Sequence, residues 1–378
     1  MEPFQVLMVG PTRVGKTSTL ASMTEALQQE VNKLQYHTTI PDQLIMYHDE
    51  FVKTCDKNDF VVKQLPMKEG TGNRTDYRLE FFSQNNENDI TINFIDVPGG
   101  WFIPPIQDSP NIHYDEIKEM LKSSIASMWC VDCVSMVEGK NDPDHDYHTE
   151  RNEPKLIAEL YKNLPSISTN HRLIFVLMRA ETYLVNKGQG ADWLLKKFSD
   201  YYSQYINEIK HRFPEIEIYV TAVQTLGCFK FKSWQRNANG ELEATYIKYT
   251  PPGKYSPKNC EAPALLAIDR ALQESVQLCE QKKSEMFEFF KKNCRGPLGR
   301  LAYWLIHILG DSTKMNRYAD IFDLLKAGKP VLREEFPIEF EAFPDLNAHI
   351  TLERLKKAAD SMGKSVEQKQ RDDDITLL

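Results

Sequence analysis

Short apolar runs alternate with longer segments of helical period along most of this chain. Phe4-Gln5-Val6-Leu7-Met8-Val9 reads as a buried strand. Ser18–Leu27 follows as a helix, with Leu20, Met23, Ala26 and Leu27 along one face. Asp76–Phe82 and Ile90–Ile95 alternate with a period of two, and the polar stretch 83–89 between them reads as a hairpin turn. Beyond them come a helix over Tyr114–Ser124, a strand over Ser127–Val134, a helix over Arg151–Leu164 and a strand over Arg172–Leu177. A long helix with apolar and aromatic positions from Leu194 to Ile209 (Asp192–Arg212) and a strand at Glu217–Val220 complete the series. Strands that alternate with helices predict a three-layer α/β fold with a mostly parallel sheet, to which the early hairpin adds one antiparallel strand.

The last third reads differently. Residues 227–250 alternate like strands around Asn239-Gly240, a strong hairpin signal, and a helix covers about 264–292. Gly296-Pro297-Leu298-Gly299 punctuates the chain there. Arg300–Leu309 reads as a short amphipathic helix, Pro330–Pro344 as extended, Leu352–Met362 as helix, and Gly363–Leu378 as a polar tail expected to be disordered. The expected division is therefore 1–294, 295–362 as a small, mainly helical appendage, and 363–378.

Composition narrows the class. Apolar residues at 41% can build a core, and a formal charge of −8 argues against nonspecific nucleic-acid binding. Leu301–Leu309, the longest apolar run, is broken by His307 and falls far short of the ~20 residues of a spanning helix. No transmembrane segment is expected. Seven scattered cysteines suit a reducing, cytoplasmic setting better than a disulfide framework. Cys130 and Cys133 form C-x-x-C, but no second Cys/His pair stands near them, so both read as core.

Chemistry enters directly after the first strand. Gly10-Pro11-Thr12-Arg13-Val14-Gly15-Lys16-Thr17 is a complete G-x-x-x-x-G-K-T, placed between strand and helix as a phosphate-binding loop requires. The backbone from Gly10 through Thr12, Arg13, Val14 and Gly15 to Ser18 can turn its N–H groups toward phosphate. Lys16 can reach the outer phosphates, and the Thr17 hydroxyl can bind Mg²⁺. The Ile90–Ile95 strand ends in Asp96-Val97-Pro98-Gly99-Gly100. Asp96 is a second candidate for holding Mg²⁺, and the Gly99 N–H a candidate contact for a γ-phosphate. Paired antiparallel strands before the aspartate favour a GTPase-type sheet over an all-parallel ATPase order.

With these residues the chain resembles TRAFAC-class P-loop GTPases, of Ras-like fold. More narrowly it resembles the bacterial double-GTPase-like (DO-GTPase) proteins of predicted conflict and defence loci, over about Phe4–Leu272. That resemblance implies a switch threonine that closes over Mg²⁺ and the γ-phosphate: Thr71 first, Thr75 second. Met178-Arg179-Ala180-Glu181 falls where GTPases read guanine, so Glu181 stands for the base-reading carboxylate and Arg179 for the basic residue beside it. Thr221-Ala222 resembles the loop that closes on the guanine ring. Tyr255-Ser256-Pro257-Lys258-Asn259 and Pro263 resemble the closing segment of the DO-GTPase domain. Lys16, Thr71 and Gly99 would carry hydrolysis. The position that holds a water-orienting Gln in Ras-like proteins is taken here by Gly100 and Trp101, which implies slow turnover unless Arg13, Arg74, Gln107 or a partner helps. The implied function is a Mg²⁺-dependent GTP-binding switch acting on a protein effector or a homodimer partner, in bacterial antiviral defence. A nucleotide-binding scaffold without hydrolysis and an ATPase are the alternatives.

Overall fold

The computed structural model describes residues 3–11, 14–33, 36–56, 61–62, 73–83, 88–104, 111–139, 146–184, 190–236, 242–248, 254–293, 347–372 and 375–378. Its main sheet is built from β1 (Phe4–Val9), β2 (Tyr36–Thr39), β4 (Thr75–Ser83), β5 (Asn88–Asp96), β6 (Ala126–Asp132), β7 (Arg172–Met178), β8 (Glu217–Ala222) and β11 (Thr376–Leu377). The strand order is β11-β8-β7-β6-β1-β5-β4-β2. β5, β1, β6, β7 and β8 run parallel, and β4 is the expected antiparallel strand. Two short strands extend the edges, β2 beside β4 and β11 antiparallel to β8. The central strands are mostly apolar, as burial on both faces demands: every residue of β6 and β7 is buried, the polar Ser127, Asp132 and Arg172 among them.

Helices are α1 (Lys16–Lys33), α2 (Asp42–Asp56), α3 (Ile112–Ser123), α4 (Cys133–Glu138), α5 (Tyr147–Asn152), α6 (Pro154–Lys162), α7 (Glu181–Leu184), α8 (Ala191–Arg212), α9 (Ala262–Asn293) and α10 (Asn347–Arg371). Strand parity shows how they form layers. Phe175 meets Phe198 and Tyr202 of α8 edge-on. Three residues earlier on β7, Arg172 points to the opposite face, where it donates to the Leu266 carbonyl and the Asp269 carboxylate of α9. Met178 lies on that same face and accepts from Thr19 of α1. The result is the three-layer α/β arrangement, with α1 and α9 on one side and α8 on the other. Arg172 also pairs with Glu217 at 2.6 Å, and this buried cation stays protonated because two carboxylates offset its desolvation.

Several elements depart from the sequence reading. The single helix expected over Arg151–Leu164 is two, because Pro154 bars its predecessor from helical backbone and Glu153 turns left-handed, with φ 43°. The C-terminal tail expected to be disordered is helical to Arg371, after which Ile375 is buried and β11 joins the sheet. Lys369 anchors α10 by ion pairing with Glu261 at 2.5 Å. A second sheet, β3-β10-β9, joins β3 (Val61–Val62) to the hairpin β9 (Phe229–Arg236) and β10 (Leu242–Lys248). That hairpin matches the Asn239-Gly240 signal, although its turn lies outside the described residues.

The chain divides into one unit of residues 1–272 and 358–378 and another of 273–357. Of the second, the described parts are helical segments of α9 and α10, joined by a Lys356–Glu280 ion pair. The expected Arg300–Leu309 helix and the Pro330–Pro344 segment lie outside the described residues. Among the described residues, no helix is long and apolar enough to cross a membrane.

Candidate functional site: a phosphate-binding loop and its neighbours

β1 delivers the chain to Gly10, and α1 starts at Lys16. Gly10 has φ 145°, and a Cβ there would lie 3.1 Å from the Cys130 carbonyl oxygen, so only glycine lets the loop turn this close to β6. Val14 is buried beneath the loop and Ser18 lies in the first turn of α1. Thr12 and Arg13 lie outside the described residues, as do Thr71 and Gln107.

Three candidate residues converge. Lys16 is buried and donates to the carbonyls of Gly10 at 3.0 Å and Pro11 at 3.2 Å. Burial pulls its pKa below the ordinary lysine value, partly offset by the nearby Asp96 charge. Thr17 donates its hydroxyl to Asp96 Oδ2 at 2.5 Å. Asp96 is fully buried at the end of β5, and burial raises its pKa against the opposing pull of Lys16 and the Thr17 hydrogen bond. Its Oδ1 is buried without a hydrogen-bond partner. A carboxylate oxygen left in that condition, beside a hydroxyl, is the donor set a hard divalent cation takes. Gly99 is buried at the start of a 3-10 turn, Gly99–Phe102, directly after this carboxylate. Thr75 stands across the β4–β5 ladder from Asp96, while Arg74 is engaged in a two-pronged ion pair with Asp76.

One residue that the sequence did not flag organises the next segment. Asn111 caps α3 and donates its amide toward the carbonyls of Gly100, Trp101 and Ile103, the best at 2.9 Å. Trp101 stacks flat on His113, with ring centroids 4.0 Å apart. The stretch after Asp96 is therefore tied to the start of α3.

The expected base-reading residues are arranged differently from the sequence reading. Glu181 is buried, and its Oε1 accepts the backbone N–H groups of Leu226 at 3.0 Å and Gly227 at 3.2 Å. Burial raises its pKa, and those two N–H groups and Arg179 oppose the rise. The carboxylate thus holds a neighbouring loop instead of presenting an open fork. Arg179, left-handed at φ 57°, directs its guanidinium to Asp132 and the Tyr246 hydroxyl, each at 3.3 Å. Thr221 and Ala222 are bridged by the Asn259 amide, which donates to the Thr221 hydroxyl at 3.0 Å and the Ala222 carbonyl at 3.1 Å. The Val223 and Gln224 N–H groups bond the Leu177 and Lys258 carbonyls. Later sequence supplies part of this: Lys258 and Asn259 of the 254–260 segment engage Gln224, Thr221 and Ala222, Tyr246 of β10 meets Arg179, and the β8–β9 connection brings Leu226 and Gly227 to Glu181. Tyr183, which is buried, stacks on the half-buried Trp193 with ring centroids 5.9 Å apart. Cys130 and Cys133 are fully buried; among the described residues no cluster of three or more metal-binding side chains gathers around them.

No protein-family model matches the chain, and no curated protein matches it. Among solved structures it is similar to a variant of Aquifex aeolicus Era bound to GDP.AlF4-, with 19% identity and a TM-score of 0.26 over 59% of this chain and 52% of that one. It is also similar to Era in complex with MgGDPNP and a segment of 16S ribosomal RNA, with 21% identity and a TM-score of 0.26 over 59% and 51%. The matched region spans about half the length of each of those chains.

Proposed function

We propose that this protein binds a Mg²⁺–nucleoside triphosphate in the Gly10–Ser18 loop, with GTP as its ligand and slow hydrolysis as its activity. The observation that carries this reading is the convergence of Lys16, Thr17 and Asp96, with Asp96 Oδ1 buried and unpartnered. Thr17 and Asp96 would hold Mg²⁺, with Thr71 as a further ligand. The ion, when bound, supplies charge neutralisation between the outer phosphates. Lys16 exchanges its bonds to the Gly10 and Pro11 carbonyls for phosphate oxygens, and backbone N–H groups of the loop take the rest. The Gly99 N–H is the contact that senses the terminal phosphate. GTP is the triphosphate proposed because the antiparallel β4–β5 pair leading to Asp96-Val97-Pro98-Gly99 resembles a GTPase-type sheet.

Hydrolysis is slow in this reading because Gly100 has no side chain and Trp101 is stacked on His113, so neither orients a water. The protein then acts as a switch for a protein partner. A place in bacterial defence rests on the motif resemblance alone. Glu181, Arg179, Thr221 and Ala222, with their polar groups held by the protein itself, favour a second reading in which the phosphates are gripped and the base is read weakly. Displacement of a fluorescent GTP analogue by GTP and ATP, for the wild type and Lys16→Ala, tests both. Loss of all binding in Lys16→Ala supports the phosphate site, and unchanged binding refutes it. GTP displacing tenfold better than ATP supports guanine selection, and equal displacement supports the second reading.

A further inference from the structure

Two thiols outside the nucleotide site lie in contact. Cys55, in the last turn of α2, and Cys228, just before β9, have their Sγ atoms 3.3 Å apart and share a hydrogen bond. A disulfide needs about 2.05 Å between sulfurs, so the pair is a little over 1 Å from bonding, within reach of a change in side-chain rotamer. Cys55 is fully buried, whereas Cys228 keeps 4% of its surface exposed, which makes it the sulfur a small oxidant meets first. The surroundings favour that order. The hydrogen bond between the two sulfurs lowers the Cys228 pKa and raises that of Cys55; the Lys248 ammonium assists at Cys228 and donates to the Cys55 carbonyl at 2.5 Å. In contrast, burial raises the pKa values of Cys130, Cys133 and Cys260.

We propose that Cys55 and Cys228 are a redox pair that closes to a disulfide when a hydroperoxide oxidises Cys228, stapling the end of α2 to the loop that enters β9. The Cys228 thiolate attacks the distal peroxide oxygen, breaking the O–O bond and giving a sulfenic acid; with hydrogen peroxide the leaving hydroxide takes a proton to become water. The Cys55 sulfur then attacks the Cys228 sulfur, the S–O bond breaks, the Cys55 proton is lost, and a second water leaves. Two thiols and one hydrogen peroxide give one disulfide and two waters. The loop so stapled is the one that Glu181 holds through Leu226 and Gly227, so oxidation stiffens one flank of the β8–β9 connection. This inference is independent of which nucleotide the protein binds.

The test uses the full chain. Treat it with hydrogen peroxide, alkylate remaining thiols under denaturing conditions, digest without reductant and identify cross-linked peptides by mass spectrometry. The expected product joins the Cys55 and Cys228 peptides and vanishes with dithiothreitol. A cross-link between residues so far apart in sequence restricts the unfolded chain, so oxidation raises Tm by roughly 5–10 °C, reversibly. Cys55→Ser and Cys228→Ser each lose both effects. Recovery of both thiols alkylated, of Cys228 as a sulfinic acid without cross-link, or of either cysteine joined to a different one overturns the proposal.

Discussion

Replacing Glu181 by alanine separates two roles for one carboxylate. If it holds the loop after β8, its loss strands two donors, the N–H groups of Leu226 and Gly227. Leu226 is buried, so its N–H cannot turn to water; Gly227 is half-buried and can do so in part. At about 1–3 kcal/mol for each buried donor left unpaired, and the lower end for Gly227, the loss is roughly 2–4 kcal/mol. Removing a buried carboxylate whose pKa is already raised gives a little back. Glu181→Gln keeps an acceptor oxygen for both donors and loses only charge assistance, so its cost is about 1 kcal/mol. Urea denaturation of the two variants measures these costs, and displacement by GTP and ATP measures base preference. Loop support predicts a stability order of wild type, then Gln, then Ala, with the GTP/ATP ratio unchanged in Gln. Wild-type stability in Glu181→Ala, together with a collapsed GTP/ATP ratio, would refute the reasoning and make Glu181 a base reader.

Asp96→Asn keeps an acceptor for Thr17 and removes a charge that burial penalises. Because the Asp96 pKa is raised on folding, the folded state holds more protons than the unfolded between the ordinary carboxylate range and the raised value, and stability falls as pH climbs through that window. In metal-free protein Asp96→Asn therefore raises Tm near neutrality, while abolishing Mg²⁺-dependent nucleotide binding; a lowered Tm contradicts this. His171 works in the opposite sense. It is fully buried, donates from Nδ1 to the Ser124 carbonyl, accepts at Nε2 from the mutually bonded Ser127–Tyr161 hydroxyl pair, and burial lowers its pKa from 6.5 to about 4. Stability is then lost as pH falls from 6.5 to 4, by about 3 kcal/mol, and His171→Asn flattens that slope in acid-denaturation curves. Ile375→Ala opens a cavity under β11 and costs about 2–4 kcal/mol by chemical denaturation, where a disordered tail would give no change.

The phosphate loop was legible because its signal is local: two glycines, a lysine and a hydroxyl between a strand and a helix. The parallel order of the central strands was legible for a similar reason, since apolar runs such as Leu173–Met178 suit only strands covered on both faces. The break at Glu153 was legible in Pro154 but was overridden by the helical period around it. α2 is not among the elements expected above, although its Leu44, Tyr47, Phe51 and Cys55 recur at helical spacing behind Pro41-Asp42. Glu181 shows where local reading ends. Its position after β7 matches a base reader, but the partners that claim it come from residues 226 and 227, brought back by a connection whose path no short window reveals. β11 is harder still, because two residues carry no period, and only the exposed edge of β8 gives them a place.

That edge strand has a consequence for how the molecule is made. β8 emerges from the ribosome long before Thr376 and Leu377, and during that interval its outer N–H and C=O groups are an open template. The sheet cannot be completed until the whole 273–357 excursion has been synthesised and α10 has returned the chain to the first unit. Nascent chains stalled before residue 375 should therefore be prone to pairing with one another along β8. A peptide carrying Ile375-Thr376-Leu377-Leu378, added in trans, should protect them.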